Sequence, residues 1–216
     1  IKTTCIGLFF GTFGTTIGGI LGVVCKKQSK KFLSFILAFA SGLMLAIICF
    51  DLIPEALEIT SIATVILGIL LGIIVMIGCD VVVQRKFNRK AQNQQKSQLL
   101  KTGMVVSIGL ALHNFPEGLA IGSGFGASLT LGYSLAIAIC LHDIPEGISM
   151  AVPMKNGGMP AAKVIFYVIL SGITTGIGAF FGAIVGGISK EIIALCLSFA
   201  AGAMLYIVSR RTNTRI

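Results

Sequence analysis

An apolar run of about 20 residues recurs seven times along this chain, each long enough to cross a hydrocarbon core about 30 Å thick. The runs lie at approximately 4–24, 33–55, 61–83, 102–124, 128–152, 161–185 and 191–209. A water-soluble globule is excluded, because with 55% hydrophobic and only 12% charged residues the 216-residue chain lacks polar surface. The mean hydropathy of +0.96 agrees. The expected fold class is therefore an all-α integral membrane protein with seven visible spans. Its 27 glycines suit that class, since small residues let membrane helices approach closely.

Connections between the runs are short except at 84–101, "QRKFNRKAQNQQKSQLLK", a polar, basic stretch that reads as a mobile cytosolic loop. The net charge of +9 raises nucleic acid as a partner, and its distribution argues against it. Threaded alternately, one side of the membrane receives Lys26, Lys27, Lys30, Lys31, Arg85, Lys86, Arg89, Lys90, Lys96, Lys101, Lys155, Lys163, Arg210, Arg211 and Arg215. The other side holds only Lys2 and Lys190. Fifteen against two is a positive-inside signature, which puts the N-terminus outside and 84–101 in the cytoplasm of a multi-pass plasma-membrane protein.

The six cysteines (5, 25, 49, 79, 140 and 196) are scattered singly and read as small apolar packing residues. With no C-x-x-C pair, neither a disulfide framework nor a thiolate zinc site is expected. The first run is too long for a simple signal peptide and lacks a cleavage pattern. Because the chain begins with Ile rather than Met, its start is expected not to be the native one.

A repeat organises the chain. At a constant offset of 160 residues, positions 15–47 show thirteen identities over 33 positions with 175–207. "TTIGGILGVV" overlays "TGIGAFFGAI", and "LAFASGLMLAI" overlays "LSFAAGAMLYI". Runs 1–2 thus match runs 6–7, an odd number of crossings apart, which implies opposite orientation. Inverted repeats of this kind build many secondary transporters, with sites near the midplane. The expected layout within one transmembrane domain, 1–216, is a first unit at about 1–83, a central pair at 102–152 and a second unit at 161–209. After Ile47 the first copy continues "ICFDLIPEAL"; after Ile207 the second continues "VSRRTNTRI", placing Arg211 and Arg215 opposite Asp51 and Glu55. The switch at 209–216 reads as truncation or frameshift, with a natural cytosolic end as the alternative.

A second, shorter repeat carries the chemistry. "LHNFPEGLAIG" at 112–122 returns 29 positions on as "LHDIPEGISMA", and the chain's two histidines, His113 and His142, each open one copy. Helical residues four apart differ by about 40° in angle and about 6 Å along the axis, so His113 shares a face with Glu117 and His142 with Glu146. Asn114 and Asp143 neighbour the same glutamates at a spacing of three. Each carboxylate can therefore bridge two adjacent cation positions. Pro116 and Pro145 remove the N–H partners of the Leu112 and Leu141 carbonyls and should kink their helices. Freed backbone at that depth is tolerated only against protein or a wet cavity.

Both motifs fall near the bilayer centre, where ionisable groups are costly and mark ion paths or relays. One buried His–Glu pair is ordinarily structural; two near-identical copies on adjacent spans favour a ligand cluster. Imidazole nitrogen with carboxylate oxygen and no thiolate suits a borderline divalent cation. Asp51 and Glu55, at the outer end of the second run, fit either an interfacial helix cap or a cation access point, with access favoured. Asp80 and Glu58 read as interfacial and Glu191 as a helix-start charge.

At "HNFPEG", "HDIPEG" and "DLIPEA" the chain resembles the ZIP family of divalent-metal transporters, in its bacterial ZupT/GufA-type branch. The resemblance runs to about Val208. It implies eight spans in a 3+2+3 inverted arrangement, both termini outside, and a metal centre between spans 4 and 5. Carried over by motif, a first metal position would use His113, Glu117, His142 and Glu146. A second would use Asn114 and Asp143, with Glu117 and Glu146 bridging. Where relatives in this branch often carry a sixth-span glutamate, this chain has "SGITT", so Thr175 stands in place of the carboxylate. The implied activity is uptake of Zn²⁺, with Fe²⁺ or Mn²⁺ as further candidates, by rocking of the 4–5 pair against the repeat bundle.

The metal would be cargo, and no catalytic cofactor is expected. The implied partners are divalent cations and the lipid bilayer, with a homodimer open. An intramembrane metalloenzyme is the rival class, but H-E-x-x-H is missing and histidine-box oxidases need more than two histidines. A metal-binding membrane protein that does not transport is a third reading.

Overall fold

The computed structural model describes residues 2–24, 30–88 and 95–213, all helical apart from short turns. Cys25, Lys26, Lys27, Arg89, Lys90 and Arg215 lie outside the described residues. The helices are α1 (Lys2–Val24), α2 (Lys30–Ile47), α3 (Ile53–Ile59), α4 (Ile62–Asn88), α5 (Gln95–Ala127), α6 (Leu129–Asn156), α7 (Ala161–Gly186) and α8 (Lys190–Asn213). No strand occurs among the described residues. Seven helical stretches are long and apolar enough to cross a membrane, counting α2, α3 and the π-helical turn between them as one. Large apolar side chains such as Phe50 (81% exposed) and Leu129 (70%) point outward, as suits a lipid-facing surface.

Three details depart from expectation. The second span does not end at 55 but runs on to Ile59, and Ile48–Leu52 forms a π turn within it. Helix also enters both ends of the 84–101 stretch, because α4 reaches Asn88 and α5 starts at Gln95. At the other end, α8 remains helical to Asn213, past the start of the basic segment. The cysteines split: Cys140 and Cys196 are buried and pack inside, whereas Cys5 and Cys49 are exposed on the outer surface.

The packing divides the helices into two groups. α1, α5, α6 and α7 pack most heavily on one another; α4 packs chiefly on α8, which also receives α2 and α3. The groups meet mainly through α8 on α5 and α2 on α6. The first group is held by backbone contact. Every buried residue of α1 is small: Gly7, Gly11, Gly14, Thr15, Gly18, Gly19 and Gly22. A Cβ at Gly118 of α5 would overlap the Thr175 carbonyl oxygen of α7, and one at Gly147 of α6 would overlap that of Thr15 in α1. Thr15 and Thr175 are equivalents in the 160-residue repeat, so α1 meets α6 as α7 meets α5. In the other group, Tyr206 of α8 donates a hydrogen bond to Asp80 of α4 at 3.0 Å.

Two apolar clusters bracket the motif region. One contains Ile48, Leu52, Ile121, Leu135, Ile139 and Leu197 and lies where the two helix groups meet. The other, with Leu110, Met150, Met154, Val164 and Val168, lies wholly among α5, α6 and α7. Along α5 the motif sits between Leu110 and Ile121, and along α6 between Ile139 and Met150. Both exits from it are thereby closed.

Candidate metal centre

A single residue, Ser128, separates α5 from α6. Its hydroxyl caps α6 by accepting the Leu131 N–H at 3.1 Å, satisfying one of the donors every helix start leaves unpaired. His113 lies 15 residues before this turn and His142 lies 14 after it, so the hairpin delivers both imidazoles to one depth. Pro116 and Pro145 sit inside continuous helices.

The six polar residues picked out by the repeated motif converge, each at most 1% exposed. The imidazole centroids are 6.4 Å apart. Glu117 Oε1 stands 2.9 Å from His113 Nε2 and 2.6 Å from His142 Nε2, so one carboxylate oxygen serves both rings. Glu146 Oε1 lies 3.3 Å from His113 Nε2, and Asp143 Oδ1 lies 3.7 Å from His142 Nε2. His142 Nδ1 faces the Ala138 carbonyl at 3.3 Å; a carbonyl only accepts, so Nδ1 carries the hydrogen and Nε2 is the nitrogen turned inward. Such an outer contact fixes ring orientation in metal sites.

Among the described residues, two sets of ligand atoms lie within 4.8 Å of one another: His113–His142–Glu146 and Glu117–His142–Asp143. All five side chains are buried, and His142 is common to both. Asp51 and Glu55 belong to neither. They are half-buried, Asp51 in the π turn and Glu55 in the first turn of α3, apart from the cluster.

Sequence reasoning missed how Asn114 is held. Its amide nitrogen donates to the Ser171 carbonyl at 3.0 Å and lies 3.4 Å from the Ser171 hydroxyl. Asn114 Oδ1 and Glu117 Oε2 have no hydrogen-bond partner among the described residues, nor has Thr175 Oγ1. Unmet buried oxygens are unusual and costly in a folded protein, and a cation is a natural partner for them. The available signal was the polar cluster "SGITT" in the otherwise apolar sixth run.

The profile of the family described as "ZIP Zinc transporter" matches residues 84–211, which include both histidine motifs. The chain belongs to the ZIP family. Three ZIP relatives carry the name "Zinc transporter ZupT", from Salmonella heidelberg (strain SL476), Salmonella paratyphi A (strain ATCC 9150 / SARB42) and Salmonella newport (strain SL254). Each is 32% identical to this chain over 200 residues, covering 88% of the chain and 77% of the relative. ZIP membership supports divalent-metal transport by a multi-pass membrane protein, and the buried His, Glu and Asp groups are compatible with it. The matched relatives are named as transporters, not as enzymes.

Proposed function

We propose that this ZIP protein carries Zn²⁺, with Fe²⁺ or Mn²⁺ as alternative cargo, across the plasma membrane into the cytoplasm through the cluster on α5 and α6. The observation that carries this reading is the position of Glu117 Oε1 between the two imidazole Nε2 atoms, at 2.9 and 2.6 Å. A divalent cation replaces that contact with bonds to both rings and to the Glu117 and Glu146 carboxylates. Nitrogen with carboxylate oxygen is the donor set zinc favours. Asn114 and Asp143 supply oxygen on the far side of the same glutamates. Asp51 and Glu55 offer carboxylates at the outer end of α2 and α3 for cation access. The charge distribution supports an outside N-terminus and a cytoplasmic 84–101 stretch.

Cargo must pass two apolar seals, and the helix grouping suggests how. α1 and α7 belong with α5 and α6, so the moving unit in this reading is those four helices together, sliding or rocking against α2, α3, α4 and α8. That revises the simpler motion of an α5–α6 pair against the repeats. The paired contacts, α1 on α6 and α7 on α5, support an inverted repeat around the site.

The test is metal accumulation in cells or proteoliposomes. His113→Ala or Glu146→Ala should abolish accumulation while the protein still reaches the membrane; unchanged accumulation would remove the cluster from the route. Equilibrium binding by the purified chain, measured beside liposome flux, separates a transporter from a membrane protein that binds metal without moving it.

A further inference from the structure

Thr15 and Thr175, equivalent in the internal repeat and both buried, treat their hydroxyls differently. Thr15 donates to the Gly11 carbonyl one turn back at 2.7 Å, the usual solution for a buried helical threonine. The corresponding acceptor for Thr175 is the Ser171 carbonyl. That oxygen instead receives the Asn114 amide at 3.0 Å and the Thr174 hydroxyl at 2.6 Å. Thr175 is fully buried, and its Oγ1 has no hydrogen-bond partner among the described residues. A buried hydroxyl left in this state asks for a ligand.

Asn114 points the same way. Its amide nitrogen faces an acceptor-only carbonyl, and reversing the amide would set two acceptors against each other. Oδ1 is therefore turned away from Ser171, buried and also without a hydrogen-bond partner among the described residues. Glu117 commits Oε1 to the imidazoles and leaves Oε2 in the same condition. The surroundings leave room close by: the Thr175 side chain rests against Gly11 of α1, and Gly14, three residues along that face, rests against the Asp143 Cβ.

We propose that Thr175 supplies the hydroxyl oxygen of a second, oxygen-only cation position, formed with Asn114, Asp143 and Glu117, that takes a hard divalent ion of the Mn²⁺ class. This rests on the metal-transport reading above and deepens it by assigning a distinct preference to each side of the glutamates. Imidazole draws zinc to one side. Hydroxyl, amide carbonyl and carboxylate oxygens without nitrogen favour Mn²⁺ or Mg²⁺ on the other.

The full-length chain in detergent, first saturated with Zn²⁺, is titrated with Mn²⁺ while free Mn²⁺ is followed by electron paramagnetic resonance. Wild type should bind Mn²⁺ beyond its zinc. Thr175→Val, which keeps the shape and deletes the hydroxyl, should weaken that binding by about tenfold or more. Thr175→Ser should retain it, and Zn²⁺ binding should be unchanged in both. The metal-free Val variant should also melt higher than wild type, since a methyl replaces an unmet polar group. A packing role for Thr175 would leave Mn²⁺ binding as it was. Wild-type Mn²⁺ affinity in the Val variant, or no Mn²⁺ taken up by zinc-saturated wild type, overturns the proposal. His113→Ala keeps the two failures apart: zinc binding that survives it defeats the parent reading, whereas zinc loss there with intact Mn²⁺ binding in Thr175→Val defeats this inference alone.

Discussion

Glu117 touches both imidazoles through one oxygen, so removing its charge acts on both halves of the motif at once. Glu117→Gln keeps the shape and one acceptor but loses the anion. Zinc affinity of the purified protein, read by titration calorimetry, should fall by more than about tenfold with helical content intact. An affinity within twofold of wild type would show that the carboxylate is not a ligand. Glycines near the site divide sharply. Gly118→Ala drives a methyl into the α7 backbone and should cost about 1–3 kcal/mol, seen as a lower melting temperature. Gly109→Ala on the same helix meets nothing within 4 Å and should instead gain up to about 1 kcal/mol from helix propensity. All six residues brought together by the hairpin were legible in the sequence, because the repeated spacing fixes which side chains share a face. The Ser171 grip on Asn114 was not, since it joins residues 57 apart in the chain and depends on how α5 lies on α7.

The spans themselves were legible to within a few residues, because lipid demands unbroken apolar runs of nearly fixed length. Two element-level features escaped. The extra residue of the π turn at Ile48–Leu52 leaves no mark in an apolar run, although such turns often sit at functional positions. Deleting Phe50, which is exposed to the surround, should close the turn back to regular α-helix with the flanks still in register. The variant should fold and bind zinc as before, while initial uptake slows several-fold because Asp51 is re-aimed. Equal uptake rates in proteoliposomes would exclude the π turn from the access route. The second feature is the grouping of α1 with α6 and α7. Its trace was present in the glycines at 7, 11, 14, 18 and 22, which line one face of α1, but a glycine stripe does not say which neighbour it meets.

For the molecule as a whole, transport in this reading needs relative movement between the two helix groups. Ile193 of α8 lies 3.3 Å from where a Cβ on Gly126 of α5 would stand, so the pair straddles the boundary. In a background free of native cysteines, cross-linking Gly126→Cys to Ile193→Cys should stop flux yet leave zinc binding in detergent. A link between Gly124→Cys and Leu131→Cys, both within the α5–α6 hairpin, should leave flux unchanged. Flux that persists through the first link would show that the groups need not move apart there.

The placement of the six polar side chains between α1 and α7 also bears on how the protein is made. Translation delivers α1 first, then the hairpin, and α7 only afterwards. Of the seven spans, α6 is the most enclosed by protein, with 67% of its apolar window covered. Until α7 emerges, part of that cover is missing, and bare carboxylates at mid-bilayer depth are unfavourable by a few kcal/mol each. The hairpin must therefore be retained by the insertion machinery, or leaned on α1 alone, until its last neighbour leaves the ribosome.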